Sequence, residues 1–320
     1  MIIQHWVGDT RQVVTGLADD SIDLIVTSPP FLGLRSYLPD DSPAKANELG
    51  TEASPAEFVQ GLLDLLPEWD RVLKPTGSLV VELGDTYADS GGAGGDYQKS
   101  GSREGQPLWR QNRGRSETDV GRNKVGGEDR PGGHHQGGKG WPLGKSMCMI
   151  PHLYAASLAY GRNILTGTEC SQWRIRNVVA WCRPNPTPGA IGDKWRKGTS
   201  YIVVACKNRQ RYWNVEKAAN ENGVPHLDWW ELPGRGLKQS PISSGLVQHY
   251  ATFPEDLPTR MIRAMCPPEG WVLDPFGGSG TTLAAAQGQG VNAIAVDIDP
   301  RNAVLAQEQV GIFLEVVNFS

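Results

Sequence analysis

Cysteine is scarce, with five in 320 residues and no CxxC pair, so neither a disulfide framework nor a cysteine-based zinc site is expected. No apolar run approaches the roughly 20 residues that span a bilayer. Met1-Ile2-Ile3-Gln4-His5-Trp6 lacks a basic region leading into an apolar stretch, which argues against secretion and for a cytoplasmic location. There is no internal repeat. The pair His134-His135 has no companion residues at ligand spacing, so no metal site is expected. The chain also lacks a P-loop, because its one compact glycine string near the C-terminus contains no lysine. What remains is an ordinary hydrophobic fraction of 39%, enough for a large core.

Net charge is −4, but it is unevenly distributed. From Trp173 to Trp213 there are nine Lys/Arg and one acidic residue, a local +8, and residues 98–147 carry +5, leaving −17 on the remainder. Such segregation is what a polyanion-binding face on an acidic body requires, although a solvated charged surface has the same composition. Trp173, Trp181, Trp195 and Trp213 interleave with the first basic run. Arg174, Arg176, Arg183, Lys194, Arg196 and Lys197 are therefore the candidate contacts to a polyanion, with double-stranded DNA and RNA not separable on charge alone.

Alternation of short apolar runs with helical patterns predicts an α/β fold. Strands are expected at 22–26, 79–83, 175–181, 201–206, 271–274 and 292–297. Helices are expected at 151–160, 255–265, 281–289 and 301–310. Residues 57–73 carry a helical apolar face that Pro67 should break near Leu66, since an interior proline costs about 3 kcal/mol. Residues 74–77 read as a turn. Residues 91–144 hold 16 of the 39 glycines and few apolar side chains, so 85–147 reads as a mobile or DNA-contacting insertion. Residues 1–84, 148–207 and 249–320 then form the catalytic domain, and the polar, turn-rich 208–248 is the candidate for target recognition.

Two strings carry chemistry. Asp274-Pro275-Phe276-Gly277-Gly278-Ser279-Gly280-Thr281-Thr282 joins a strand to a helix, where glycines let the backbone approach a ligand. Asp297 lies at the end of the next strand, placed to accept from ribose hydroxyls. Acidic residues facing this loop would repel a pyrophosphate but suit a cation or amine, and S-adenosylmethionine carries both along with a ribose. Ser28-Pro29-Pro30-Phe31 also follows a strand. Its prolines stiffen the loop, the Ser28 hydroxyl and Pro29 carbonyl are acceptors, and Phe31 offers a stacking face. Two acceptors holding the hydrogens of an exocyclic amine favour a pyramidal nitrogen with its lone pair free for attack on a sulfonium methyl group.

The two strings in this order resemble the beta group of DNA amino-methyltransferases, whose catalytic motif precedes the cofactor motif. Three further segments are similar to that family: Gly8-Asp9 with Ile22-Asp23-Leu24-Ile25, the stretch Arg71 to Leu79, and His249 to Pro254. The resemblance implies a permuted Rossmann-like fold of the class I methyltransferase type, with a seven-stranded, mixed, mostly parallel sheet flanked by helices. It implies S-adenosyl-L-methionine on the 274–282 loop, Asp297 on the ribose, Asp9 on the adenine amine, and Phe253 and Pro254 lining the site. Serine before Pro-Pro points to N4 of a flipped cytosine in duplex DNA, with N6 of adenine as the alternative. A separate cognate restriction endonuclease is a further partner that it allows. Where relatives carry a glutamate before the strand ending in lysine, this chain has Thr199-Ser200, so that acid has no counterpart there. C5 chemistry is disfavoured because no Pro-Cys pair exists. A non-catalytic DNA-binding protein, or methylation of RNA or of a protein amide, also fits the residues alone.

Overall fold

The structure is a computed structural model that describes residues 1–33, 38, 42–88, 139–186, 194–220, 222–234 and 253–319. Most of the 85–147 insertion, His134-His135, and residues 235–252 (with His249 to Thr252 and part of the candidate recognition region) lie outside them. Among the described residues, no helix is long and apolar enough to cross a membrane. They form two compact units: Met1–Pro29, Val59–Gly84 and Met149–Ser320 make the first, Pro30–Phe58 and Asp85–Cys148 the second.

The first unit is built on one sheet. In chain order its strands are β1 (Ile3–Val7), β2 (Ile22–Thr27), β3 (Leu73–Leu83), β4 (Arg174–Cys182), β5 (Thr199–Cys206), β6 (Trp229–Glu231), β7 (Trp271–Asp274), β8 (Asn292–Asp297) and β9 (Leu314–Asn318). They lie in the order β6-β4-β5-β3-β2-β7-β8-β1-β9. Only β5 runs against its two neighbours; every other pairing is parallel. The sheet is mixed and mostly parallel as expected, but it has nine strands rather than seven, because β6 and β9 add to the two edges. All six residues of β2 are buried, as are the last seven of β3. Strands covered on both faces read as continuous apolar runs, which is why they were visible in the sequence.

Helices α1 (Thr10–Val13), α2 (Pro55–Leu63), α3 (Leu66–Val72), α4 (Ile150–Tyr160), α5 (Asp256–Met265), α6 (Thr281–Gln289) and α7 (Arg301–Val310) complete the regular structure. Pro67 does break the 57–73 pattern: α2 stops at Leu63 and α3 restarts at Leu66, with the proline in a first turn where its missing N–H has no intrahelical partner to lose. α3 buries Trp69 and α4 buries Tyr154, while Leu257, Met261 and Ile262 of α5 pack with Leu24, Val80 and Val272 of the sheet. Residues 74–77 form a bulge within β3 rather than a turn before it. Ile22 pairs with Leu73, the next paired position is Leu24 with Ser78, and the extra residues loop out between. Gly77 permits this, since a Cβ there would lie 2.7 Å from Leu73 Cγ and 3.0 Å from the Asp23 carbonyl oxygen.

In the second unit, Ala88 and Lys145 and then Cys148 and Thr86 are joined by backbone hydrogen bonds, and Trp141 donates its indole N–H to the Ala53 carbonyl at 2.7 Å.

Candidate active site

Because eight strands run in one direction, their carboxyl ends share one edge, where open α/β sheets bind ligands. β1, β2, β3, β4, β7 and β8 deliver Asp9, Ser28, Glu82, Arg183, Asp274 and Asp297 there, and antiparallel β5 delivers Ser200 from its start.

Asp274 is 2% exposed, and both of its oxygens are engaged within the protein. Oδ1 accepts from Thr27 Oγ1 at 2.7 Å and from the Phe276 N–H at 3.1 Å, and Oδ2 accepts from Thr282 Oγ1 at 2.5 Å. Burial pushes its carboxyl up to about 6, against the hydrogen bonds from Thr282, Thr27 and Phe276. This carboxylate ties the end of β2 to the loop and to the start of α6.

The loop passes close to the sheet. Gly277 donates its N–H to the Val296 carbonyl, and Gly278 and Gly280 take φ of +49° and +84°, the left-handed region that glycine adopts at low cost. Asp297 receives the Gly278 N–H at 2.9 Å and the Asp299 N–H at 2.8 Å. A carboxylate has about four acceptor sites, so two remain for hydroxyl groups. Asp9 follows β1, whose Val7 pairs with Asp297; it caps α1 and carries Arg11 at 2.8 Å. The hydroxyls of Thr10 and Thr281 are buried without partners, as are both ring nitrogens of His5 on β1. Burial lowers the His5 pKa, against the Asp297 charge and the Gly278 backbone. Buried hydroxyls without partners, together with the open acceptor sites of Asp297 beside a glycine cradle, fit a ligand that carries hydroxyls. Ser279 joins them through its carbonyl, which receives Gln309. Pro275 lies in the same loop, and Phe253 and Pro254 are buried just before α5, whose far end leads into β7.

The second cluster lies on β2, β3, β4 and β5. Half-buried Ser28 donates its hydroxyl to Glu82 Oε2 at 2.6 Å, and Glu82 is buried behind it with Oε1 unpartnered. Thr27 pairs with Val81 and Glu82 with Ile202, so side-chain alternation puts Ser28, Glu82 and Ser200 on one face of the sheet. Arg183, just past β4, donates to Ser200 Oγ at 2.7 Å and stacks on Trp181 with its guanidinium 4.7 Å from the ring centre. Burial raises the Glu82 pKa; hydrogen bonding by Ser28 and Ser200 and the charges of Arg183 and Lys197 act the other way. Burial in turn lowers the Arg183 pKa against the charge of Glu82. Glu82 was not singled out in the sequence, though a carboxylate inside the apolar run Leu79-Val80-Val81-Glu82-Leu83 is the signal that marks it. Pro29 is buried beside Ser28, while Pro30 and Phe31 belong to the second unit, where Gly50 at φ +92° passes close behind the Phe31 carbonyl.

The six candidate DNA contacts do not share one place. Arg174 and Arg176 start β4, where Arg174 donates to the Lys207 carbonyl. At about 3.3 Å per residue they stand some 20–30 Å from the catalytic edge. Lys194, Arg196 and Lys197 lie at that edge in the β4–β5 connection, and Arg183 turns inward. Side chains of β4, β5, residues 211–219, residues 225–230 and α5 line a cavity of about 200 Å³, in which Arg211 stacks on Trp213 and Arg260 on Trp230. Buried Cys266, whose thiol is pushed up to about 12 by burial and by Asp23, offers no thiolate for C5 chemistry.

A carboxyl-edge glycine loop next to a serine–carboxylate pair defines an α/β enzyme that acts on a ligand held at the loop. Residues 22–308 match the DNA methylase family of N6 and N4 methyltransferases, and the chain belongs to it. It is 26% identical to the type II methyltransferase M.SmaI of Serratia marcescens over 310 residues, covering 95% of this chain and 89% of that one. It is also 26% identical to M.Cfr9I of Citrobacter freundii, covering 93% and 84%. Its fold is similar to that of the cytosine-N4-specific PvuII DNA methyltransferase (TM-score 0.63, 17% identity, covering 95% and 85%). It is also similar to TTHA0409 of Thermus thermophilus solved with S-adenosyl-L-methionine (TM-score 0.57, 22% identity, covering 100% and 99%).

Proposed function

We propose that this DNA methyltransferase uses S-adenosyl-L-methionine to methylate N4 of a cytosine turned out of duplex DNA within a specific sequence. The observation that carries the reading is the hydrogen bond from Ser28 to buried Glu82 at the edge that also bears the glycine loop. When bound, the cofactor supplies a methyl group on a positively charged sulfur. Asp297 would hold its ribose hydroxyls and Asp9 its adenine amine, while Asp274 keeps the loop in shape through Thr27 and Thr282. Serine before the two prolines, together with the likeness to an N4-specific enzyme, supports cytosine over adenine.

A hydroxyl that donates to Glu82 keeps its lone pairs for the amine hydrogens of the base. With the Pro29 carbonyl it would hold that amine pyramidal, so that the nitrogen lone pair leaves conjugation and projects out of the ring plane. The amine nitrogen that takes a methyl group must lose one proton; Ser28 Oγ would accept it while Ser28 passes its own to Glu82 Oε2, leaving the glutamate protonated. Glu82 must be ionised to receive it, and Arg183 and Lys197 favour that state against burial. Ser28→Ala should lower kcat at least a hundredfold and leave cofactor affinity by calorimetry within a few-fold of wild type. Wild-type turnover in that variant would rule out the serine–glutamate pair.

A further inference from the structure

Trp195 is 95% exposed, more than any other large apolar side chain among the described residues. A single exposed apolar side chain is ordinary, but an indole offers about 150–250 Å² of stacking surface, which gains meaning from the charges around it. Its neighbours Lys194 and Arg196 are exposed cations, with half-buried Lys197 following. Trp181, at the other side of the same connection, is by contrast buried and hydrogen-bonded to the Leu232 carbonyl. β4 therefore buries one tryptophan, and the residues just before β5 hold the other out between positive charges.

Placement adds a second line. β5 begins at Thr199 on the edge that carries Ser28, two strand spacings away, or about 10 Å. Trp195 lies four residues before Thr199, so it can stand up to about 13 Å beyond the edge. That reach lets it stand to the side of the edge where a base would be received. From these observations we infer that Trp195 inserts into duplex DNA at the position the target base leaves, with Lys194 and Arg196 on the flanking phosphates. The aromatic face restacks the bases that extrusion would leave open, and the cations hold the strands against it. The inference rests on the base-extruding reading above.

Full exposure means that substitution leaves the fold intact, so the variants report on DNA alone. Titration of wild type and Trp195→Phe with duplex DNA should show an indole quench in wild type that the variant lacks. The recognition sequence comes from sequencing methylated bases in an expressing host, and 2-aminopurine beside the target then reads extrusion. Trp195→Ala should raise KM for the paired target about tenfold to a hundredfold and abolish the 2-aminopurine rise. Trp195→Phe should keep most of both. A target placed in a mismatch, already unpaired, should restore Trp195→Ala to within a few-fold. Equal indole quenching in wild type and Trp195→Phe, or an equal loss on paired and mispaired targets, overturns the insertion. A wild-type enzyme that quenches on DNA but never methylates would defeat the catalytic reading and leave this one standing.

Discussion

Gly277→Ala tests the cofactor loop where it is least able to yield. A Cβ at this position would lie 2.4 Å from Ala295 Cβ, 3.3 Å from Ala295 Cα and 3.5 Å from the Val296 nitrogen. Ala295 is on β8, hydrogen-bonded to β7 on one side and β1 on the other, so the strand will not retreat. The loop must move about 1 Å or more to reach an ordinary carbon–carbon contact of 3.5–4.0 Å. That movement strains the 2.8 Å bond from Gly277 to the Val296 carbonyl and the 2.9 Å bond from Gly278 to Asp297. Overpacking of this kind costs about 1–3 kcal/mol. A charged hydrogen bond lost or lengthened adds about 1–2 kcal/mol, for a total of roughly 2–5 kcal/mol. We expect S-adenosylmethionine affinity by calorimetry to fall tenfold to a hundredfold, with a lower unfolding midpoint. Ala295→Gly in the same chain removes the 2.4 Å clash, leaving the 3.3 Å approach, at a cost of about 1 kcal/mol for a strand glycine. The double variant should regain cofactor affinity to within a few-fold while staying less stable than wild type. A single variant that binds normally, or a double variant that does not recover, would refute the reasoning.

Gly288→Ala is the counterpart. It lies in α6 with nothing within 4 Å of an added Cβ, and should stabilise by about 0.5–1 kcal/mol in chemical denaturation without touching cofactor affinity. Asp274, with its pKa raised from 3.8 to about 6, binds protons more tightly folded than unfolded. Its contribution to stability is therefore full below about pH 4 and lost as pH rises through 6. On the order of 3 kcal/mol should disappear from the stability difference between wild type and Asp274→Asn over that window, and a flat difference would contradict it. Arg183→Met should move the acid limb of the kcat profile to higher pH, because Glu82 loses a charge that favours its ionised form. Unchanged limbs with only a lower plateau would assign Arg183 to structure alone.

The sheet was largely legible because its central strands are buried on both faces and β-branched: β2, β7 and β8 lie within one or two residues of where their apolar runs begin and end. Edge strands were not. β6 has three residues, and β9 buries only Leu314 of its five, which leaves no continuous apolar signal. The two motif strings located the catalytic edge, since each follows a strand. Their internal roles needed coordinates. Asp274 reads as a cofactor-loop carboxylate, and only the structure shows that it also binds Thr27 and Thr282; Glu82 reads as one more strand residue until Ser28 is seen against it. Arg183 illustrates the limit of charge counting: it belongs to the basic run by composition, but faces Ser200 and Glu82 in space.

The identity of the methylated atom tests the central claim most directly. DNA incubated with the enzyme and labelled S-adenosylmethionine, digested to nucleosides and resolved by mass spectrometry, should carry the label as N4-methylcytosine. That label should vanish with Ser28→Ala. N6-methyladenine in its place would contradict the cytosine assignment, and unlabelled DNA with cofactor bound would contradict the catalytic account itself.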